Sequence, residues 1–189
     1  EYSLLFKMCD ILRNSDIISG WNSRTFDITY IVNRLIKYGL QNELNFDKTI
    51  SPRYKTFEVF EGKEEVTYDL FGRIHLDYIE LFKKFTYKEY QSYSLDSICR
   101  DELNMAKVEY TMPLDQLYKE DFYTFVKYNI HDVVLLKELD AKFKLIELAI
   151  HYAYECCAPI EKVLGTLKIT ESWINKFIRQ NGYIIPDRR

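Results

Sequence analysis

Glycine and proline are scarce in this chain, with six Gly and four Pro among 189 residues. So few chain-breaking residues exclude a linker or a low-complexity disordered segment, and a hydrophobic fraction of 47% agrees. No long run of Lys or Arg is present and the formal net charge is −3, which excludes an electrostatic clamp that coats duplex backbone. No apolar run reaches the ~18 residues of a membrane span, and no signal-peptide pattern opens the sequence. Cysteine is sparse too. Cys9, Cys99, Cys156 and Cys157 show neither a zinc-ligand spacing nor a disulfide framework. Packed thiols in a reducing, cytoplasmic compartment are expected, with no membrane partner. What is abundant is aromatic: 16 Tyr and 12 Phe. Rings in that number suit a core or a nucleic-acid channel, and core filling is the expected use of most.

The length suits one compact domain with a substantial core. Leu4, Leu5, Met8, Ile11 and Leu12 recur at helical spacing and predict a helix over Tyr2–Leu12. Asp16–Trp21 reads as a short buried strand, and Thr29–Tyr38 as a helix that Gly39 stops. From Ile50 to Leu70 polar and apolar residues alternate about Glu61-Gly62-Lys63, a β-hairpin pattern. Gly72–Asp77 reads as another strand and Tyr78–Phe85 as the helix after it. Ser94 is placed to cap a short helix that runs to Leu103. A single long helix is predicted from Asp121 to Tyr154, broken by Pro159, and a last one ends near Gly182. Strands followed by helices predict an α/β fold with a mixed sheet.

Two places carry chemistry. The first is the stretch SGWNSRTFDITYIVNR, Ser19–Arg34, in which Asn22 precedes Phe26-Asp27 at a strand-to-helix junction. The second is Tyr128-Asn-Ile-His-Asp132, where Tyr128 and Asp132 lie four apart on one helical face. Each has an ordinary reading. Asp27 in a first helical turn favours the macrodipole, and Tyr128 with Asp132 can be a solvated pair. His131 lacks a second imidazole at ligand spacing, and His75 and His151 show no better pattern.

Taken together, the two stretches resemble the DEDDy-type 3′→5′ proofreading exonuclease of family B DNA polymerases, most closely those of T-even-type tailed bacteriophages. Ser19–Arg34 is similar to that family's second exonuclease motif, and YNIHDVVLL, Tyr128–Leu136, to its third, Tyr-x-x-x-Asp. GRIHLDYIELFKKF (Gly72–Phe85), YSLDSICRDEL (Tyr93–Leu103) and the terminal NGYIIPDRR resemble family stretches in the same order. The resemblance implies an RNase H-like fold, a mixed sheet flanked by helices and truncated at the N-terminus. Residues 1–155 would be the partial exonuclease domain, and 156–189 a helical segment leading toward a polymerase palm. It also implies two-metal hydrolysis of the 3′-terminal phosphodiester of single-stranded DNA. One ion activates water while another, about 4 Å away, stabilises the leaving oxygen. Oxygen ligands suit Mg²⁺ or Mn²⁺. Asp132 would bind the ion carrying the attacking water, Tyr128 would orient that water, and Asp27 would serve the second ion. Asn22 and Phe26 would position the terminal nucleotides. Asp77 falls in a stretch that is scaffold in the family and is left out of the site.

The family uses four carboxylates and its first motif is Asp-x-Glu, which does not occur before Asp27. The chain by itself is therefore expected to have little or no exonuclease activity. Without the strands that would carry that motif, an exposed sheet edge is expected to pair with a second copy. The remainder of a DNA polymerase is the other expected partner. Two other functions stay open: a catalytically dead structural or DNA-binding domain of a polymerase, and a free-standing DEDD-type nuclease. An unrelated α/β binding protein is a further alternative.

Overall fold

A computed structural model describes residues 1–58, 64–105 and 113–184. Packing divides the chain into two units, Glu1–Lys84 with Ile146–Arg189, and Phe85–Leu145.

The first unit opens with helix α1 (Tyr2–Leu12) and strand β1 (Ile17–Gly20), both where the apolar spacing placed them. A five-residue π-helical turn, Arg24–Ile28, then leads into α2 (Thr29–Lys37). Val32 and Leu35 of α2 are fully buried against Leu5 and Cys9 of α1, with Leu40, Leu44 and Leu70 completing this cluster. The predicted hairpin is present as antiparallel strands β2 (Arg53–Glu58) and β3 (Glu64–Asp69), in register from Arg53 opposite Asp69 to Glu58 opposite Glu64. The expected turn at Glu61-Gly62-Lys63 lies outside the described residues. Strand β4 (Ile74–Asp77) runs parallel to β1, with Gly20 opposite Asp77, and α3 (Tyr78–Phe85) follows at once. Among the described residues the predicted mixed sheet is therefore two separate two-stranded sheets, one parallel and one antiparallel. The α/β class holds.

Two features join these pieces. Gly72 has φ of +74°, and a Cβ there would lie 2.4 Å from the Phe46 Cβ, so the turn into β4 admits no side chain. Arg73, buried at 4% exposure, then spreads its guanidinium over main-chain carbonyls. Its Nε donates to Leu44 O at 2.8 Å, Nη1 to Leu12 O and to Ser15 O (2.6 Å), and Nη2 to Arg13 O at 2.9 Å. The end of α1 is thereby tied to the start of β4. Later in the chain α7 (Leu145–Cys156) and α8 (Thr166–Gln180) belong mainly to this unit, with Ala149, Ala153, Val163 and Ile169 buried. The cysteines are all unbridged; Cys9, Cys99 and Cys156 are buried and Cys157 is exposed.

The second unit is helical: α4 (Leu95–Leu103), α5 (Leu114–Glu120) and α6 (Phe122–Phe143). Ser94 caps α4 as its sequence implied, its Oγ accepting from the Ser97 N–H at 3.2 Å. Glu102 is a hub at the far end of α4. It accepts from Lys88 Nζ at 2.8 Å, from the Tyr90 hydroxyl at 2.7 Å and from Lys142 Nζ of α6 at 2.8 Å. Burial raises the Glu102 pKa, but these bonds outweigh it and hold the carboxyl down at about 2.

The single helix expected over 121–154 is corrected to two, α6 and α7. Lys144 between them is left-handed at φ 52°, and its N–H closes α6 on Asp140 O at 2.7 Å. The apolar spacing continues through the break, so it gave no warning, and Lys is not among the usual left-handed cap residues.

Candidate nucleic-acid and metal site

The site begins with a turn. β1 ends at Gly20, where any Cβ would meet the Ser23 Cβ at 2.7 Å, so glycine lets the chain fold tightly back. Trp21 packs its ring near Tyr78 and Phe82 of α3, with centroids 6.3 and 5.9 Å away. Asn22 adopts the left-handed conformation at φ 59°, which Asn tolerates better than most residues. Its Oδ1 accepts from the Thr25 hydroxyl at 3.2 Å. Ser23 is buried, and its Oγ lies 2.9 Å from His75 Nε2 on β4. Burial, with Arg24 nearby, pushes the His75 pKa down to about 4 and keeps the ring neutral.

The π-helical turn follows, closed by Ile28 N–H donating to Ser23 O at 2.9 Å. Such wide turns recur at functional sites because they re-aim side chains. Asp27 is therefore not in an ordinary α-helical first turn, as the macrodipole reading would have it, but inside this π-helical turn, two residues before α2 begins. Phe26 stands out at 69% exposure, whereas Ile28 is anchored in the core at 3%. The turn is fixed from β3 as well: Thr67 Oγ1 donates to Arg24 O at 3.1 Å, and Thr29 Oγ1 to Val66 O at 2.9 Å.

Asp27 is exposed, yet the protein crowds its carboxyl enough that desolvation raises its pKa, and the charge of Asp77 adds to the rise. Among the described residues no Lys or Arg pairs with it. A crowded carboxylate beside a second carboxylate suits a cation. Asp77, at 2% exposure, is occupied otherwise: it accepts from the N–H groups of Asn22, Arg24 and Ile79. Arg24 also pairs with Glu80 at 3.0 Å.

Tyr128 and Asp132 lie on α6 in the second unit, four residues apart and both half-buried. Asn22, Phe26 and Asp27 are thus brought together on one turn, and Tyr128 and Asp132 on one helix face. Their oxygen donors match a hard divalent ion in kind. Among the described residues no three His, Cys, Asp or Glu side chains converge as a metal site. Sequence reasoning missed the hold of Asp77 on the turn, which joins residues 55 apart and leaves no local signal.

A strand, a tight turn bearing an exposed aromatic and a carboxylate, and a parallel strand that grips the turn define a class: an α/β domain with an acidic surface site. A family model for the exonuclease domain of family B DNA polymerases matches residues 1–98, just over half of the sequence. This chain belongs to that family. It is 33% identical over 174 residues to the DNA-directed DNA polymerase of Escherichia phage RB69, covering 92% of this chain and 19% of that protein. It is 28% identical over 173 residues to the DNA-directed DNA polymerase of Enterobacteria phage T4, covering 91% of this chain and 19% of that protein. DNA polymerase 1 of Aeropyrum pernix is 27% identical over 208 residues, covering the whole of this chain and again 19% of the relative. The chain therefore spans about a fifth of the length of these relatives. Among the described residues no helix is long and apolar enough to cross a membrane.

Proposed function

We propose that this chain is the 3′→5′ exonuclease portion of a DNA-directed DNA polymerase, trimming unpaired 3′ ends of single-stranded DNA. The observation that carries the reading is the turn at Phe26-Asp27: in a chain of this family, an exposed ring stands beside a carboxylate that no cation of the described residues neutralises. Phe26 stacks on a terminal base, a contact open to any sequence because every base has a π-face. Asn22 orients the terminal nucleotide, Asp27 and Asp132 are the carboxylates for Mg²⁺ or Mn²⁺, and Tyr128 directs a water through its hydroxyl. The bound ions would supply an activated water and charge stabilisation of the leaving oxygen.

The same reading includes an RNase H-like core over residues 1–155, with 156–189 leading toward the rest of the polymerase. It also includes self-association through β1 or β4, each of which has an edge without a strand neighbour among the described residues. Light scattering reads the association, and a monodisperse monomer contradicts it.

The enzymatic test uses the full-length natural protein and a 5′-labelled single-stranded oligonucleotide. A ladder of 3′-shortened products is expected with Mn²⁺ and none with EDTA. Undiminished shortening in EDTA, or no shortening at all, overturns the reading.

A further inference from the structure

We infer that Asp77 is a positioning residue for this site: its carboxylate holds the turn that presents Asn22, Phe26 and Asp27, and it binds no metal itself. The inference rests on the exonuclease reading above and deepens it. Both Asp77 oxygens are engaged by main-chain donors. Oδ1 accepts from Asn22 N at 3.0 Å and Ile79 N at 3.2 Å, and Oδ2 accepts from Arg24 N at 2.9 Å. The bond to Ile79 caps the first turn of α3, so one carboxylate fixes the start of a helix and the turn beside it. At 2% exposure it has little access to solvent or to an incoming ion.

The neighbours reinforce the grip. Two residues earlier on β4, His75 meets Ser23, the residue between the two held amides. Ser19 Oγ on β1 donates to Leu76 O at 2.8 Å. Arg24, whose N–H ends on Asp77, reaches on to Glu80 in the first turn of α3. β4 and α3 therefore grip every residue from Asn22 to Arg24. Left-handed backbone at Asn22 is otherwise a strained choice, and the bond from its N–H holds it there. Asp27 follows three residues after Arg24 on the same closed turn, so its position is set by this clamp together with the buried Ile28.

The test is Asp77→Asn in the full-length natural protein. Asn preserves size and one acceptor oxygen, and so keeps the bonds of Asn22 and Ile79, but it turns an NH₂ toward the Arg24 N–H. Amide hydrogen exchange at Arg24 is expected to quicken about tenfold or more, while amides of α4 and α6 exchange as before. On single-stranded DNA with Mn²⁺, kcat is expected to fall at least tenfold because the aim of Asp27 is lost, and KM to rise because Phe26 sits on the same loosened turn. Ile98→Val, a core change in the second unit, is the control and should move neither kcat nor the Arg24 amide. Should Asp77→Asn prove too unstable, Asp77→Ser keeps a capping acceptor for the Ile79 N–H but has no second oxygen for the Arg24 N–H; it should lower kcat in the same way. Unchanged exchange at Arg24, or quickened exchange there with kcat unchanged, overturns the inference. A wild-type protein that does not cleave DNA overturns the exonuclease reading instead, and exchange at Arg24 still decides whether Asp77 holds the turn.

Discussion

At Phe26 the ring is 69% exposed while its neighbour but one, Ile28, is 3% exposed. The turn spends an aromatic on solvent that its core does not use. Phe26→Ala is therefore expected to leave the urea midpoint unchanged but to weaken single-stranded DNA binding about tenfold, within the ~1–3 kcal/mol that stacking one base provides. Fluorescence anisotropy checks this. His75 makes a different prediction. Folded, it stays neutral down to about pH 4, whereas unfolded it takes up a proton below 6.5. Its contribution to stability is thus fully present above pH 6.5 and is lost as pH falls toward 4. Between pH 7.5 and 5 the wild type should lose about 2 kcal/mol more stability than His75→Gln, read from urea midpoints at the two pH values.

At the scale of elements, Gly72 gives the clearest expectation. Any side chain there adopts left-handed backbone and strikes the Phe46 side chain. Gly72→Ala should cost about 1–2 kcal/mol for the backbone alone, seen as a lower thermal midpoint with β4 still formed. Much at this scale was legible in the sequence. α1, α3 and the capped α4 fall where the apolar spacing and Ser94 placed them, because each carries its own period and punctuation. The left-handed break at Lys144 was not legible, since an ordinary lysine interrupts a spacing that resumes at once. The π-helical turn at Arg24–Ile28 was also hidden. Its closure from Ile28 N–H to Ser23 O depends on the grip from β3 and β4, and the junction alone read as a helix start. The closeness of Asn22, Phe26 and Asp27 was legible, because the three share one short stretch of chain. Their supports, Asp77 and His75, were not, because both act across more than 50 residues.

For the molecule as a whole, family membership rests on residues 1–98, and two candidate carboxylates lie in different compact units. Asp27 rides on a clamped turn of the first, and Asp132 shares a helix face with Tyr128 in the second. If both serve divalent ions in one hydrolysis, losing either should remove much the same catalysis, because groups that act as a unit are not additive. The direct measurement is kcat for 3′-end trimming of single-stranded DNA by the full-length natural protein, compared with Asp27→Ala, Asp132→Ala and the double variant. Each single change should lower kcat about a hundredfold or more, the scale of several kcal/mol that metal-held charge supplies, with the double variant little worse than either. Wild-type rates in either single variant, or losses that simply multiply in the double, would contradict a shared catalytic role for Asp27 and Asp132.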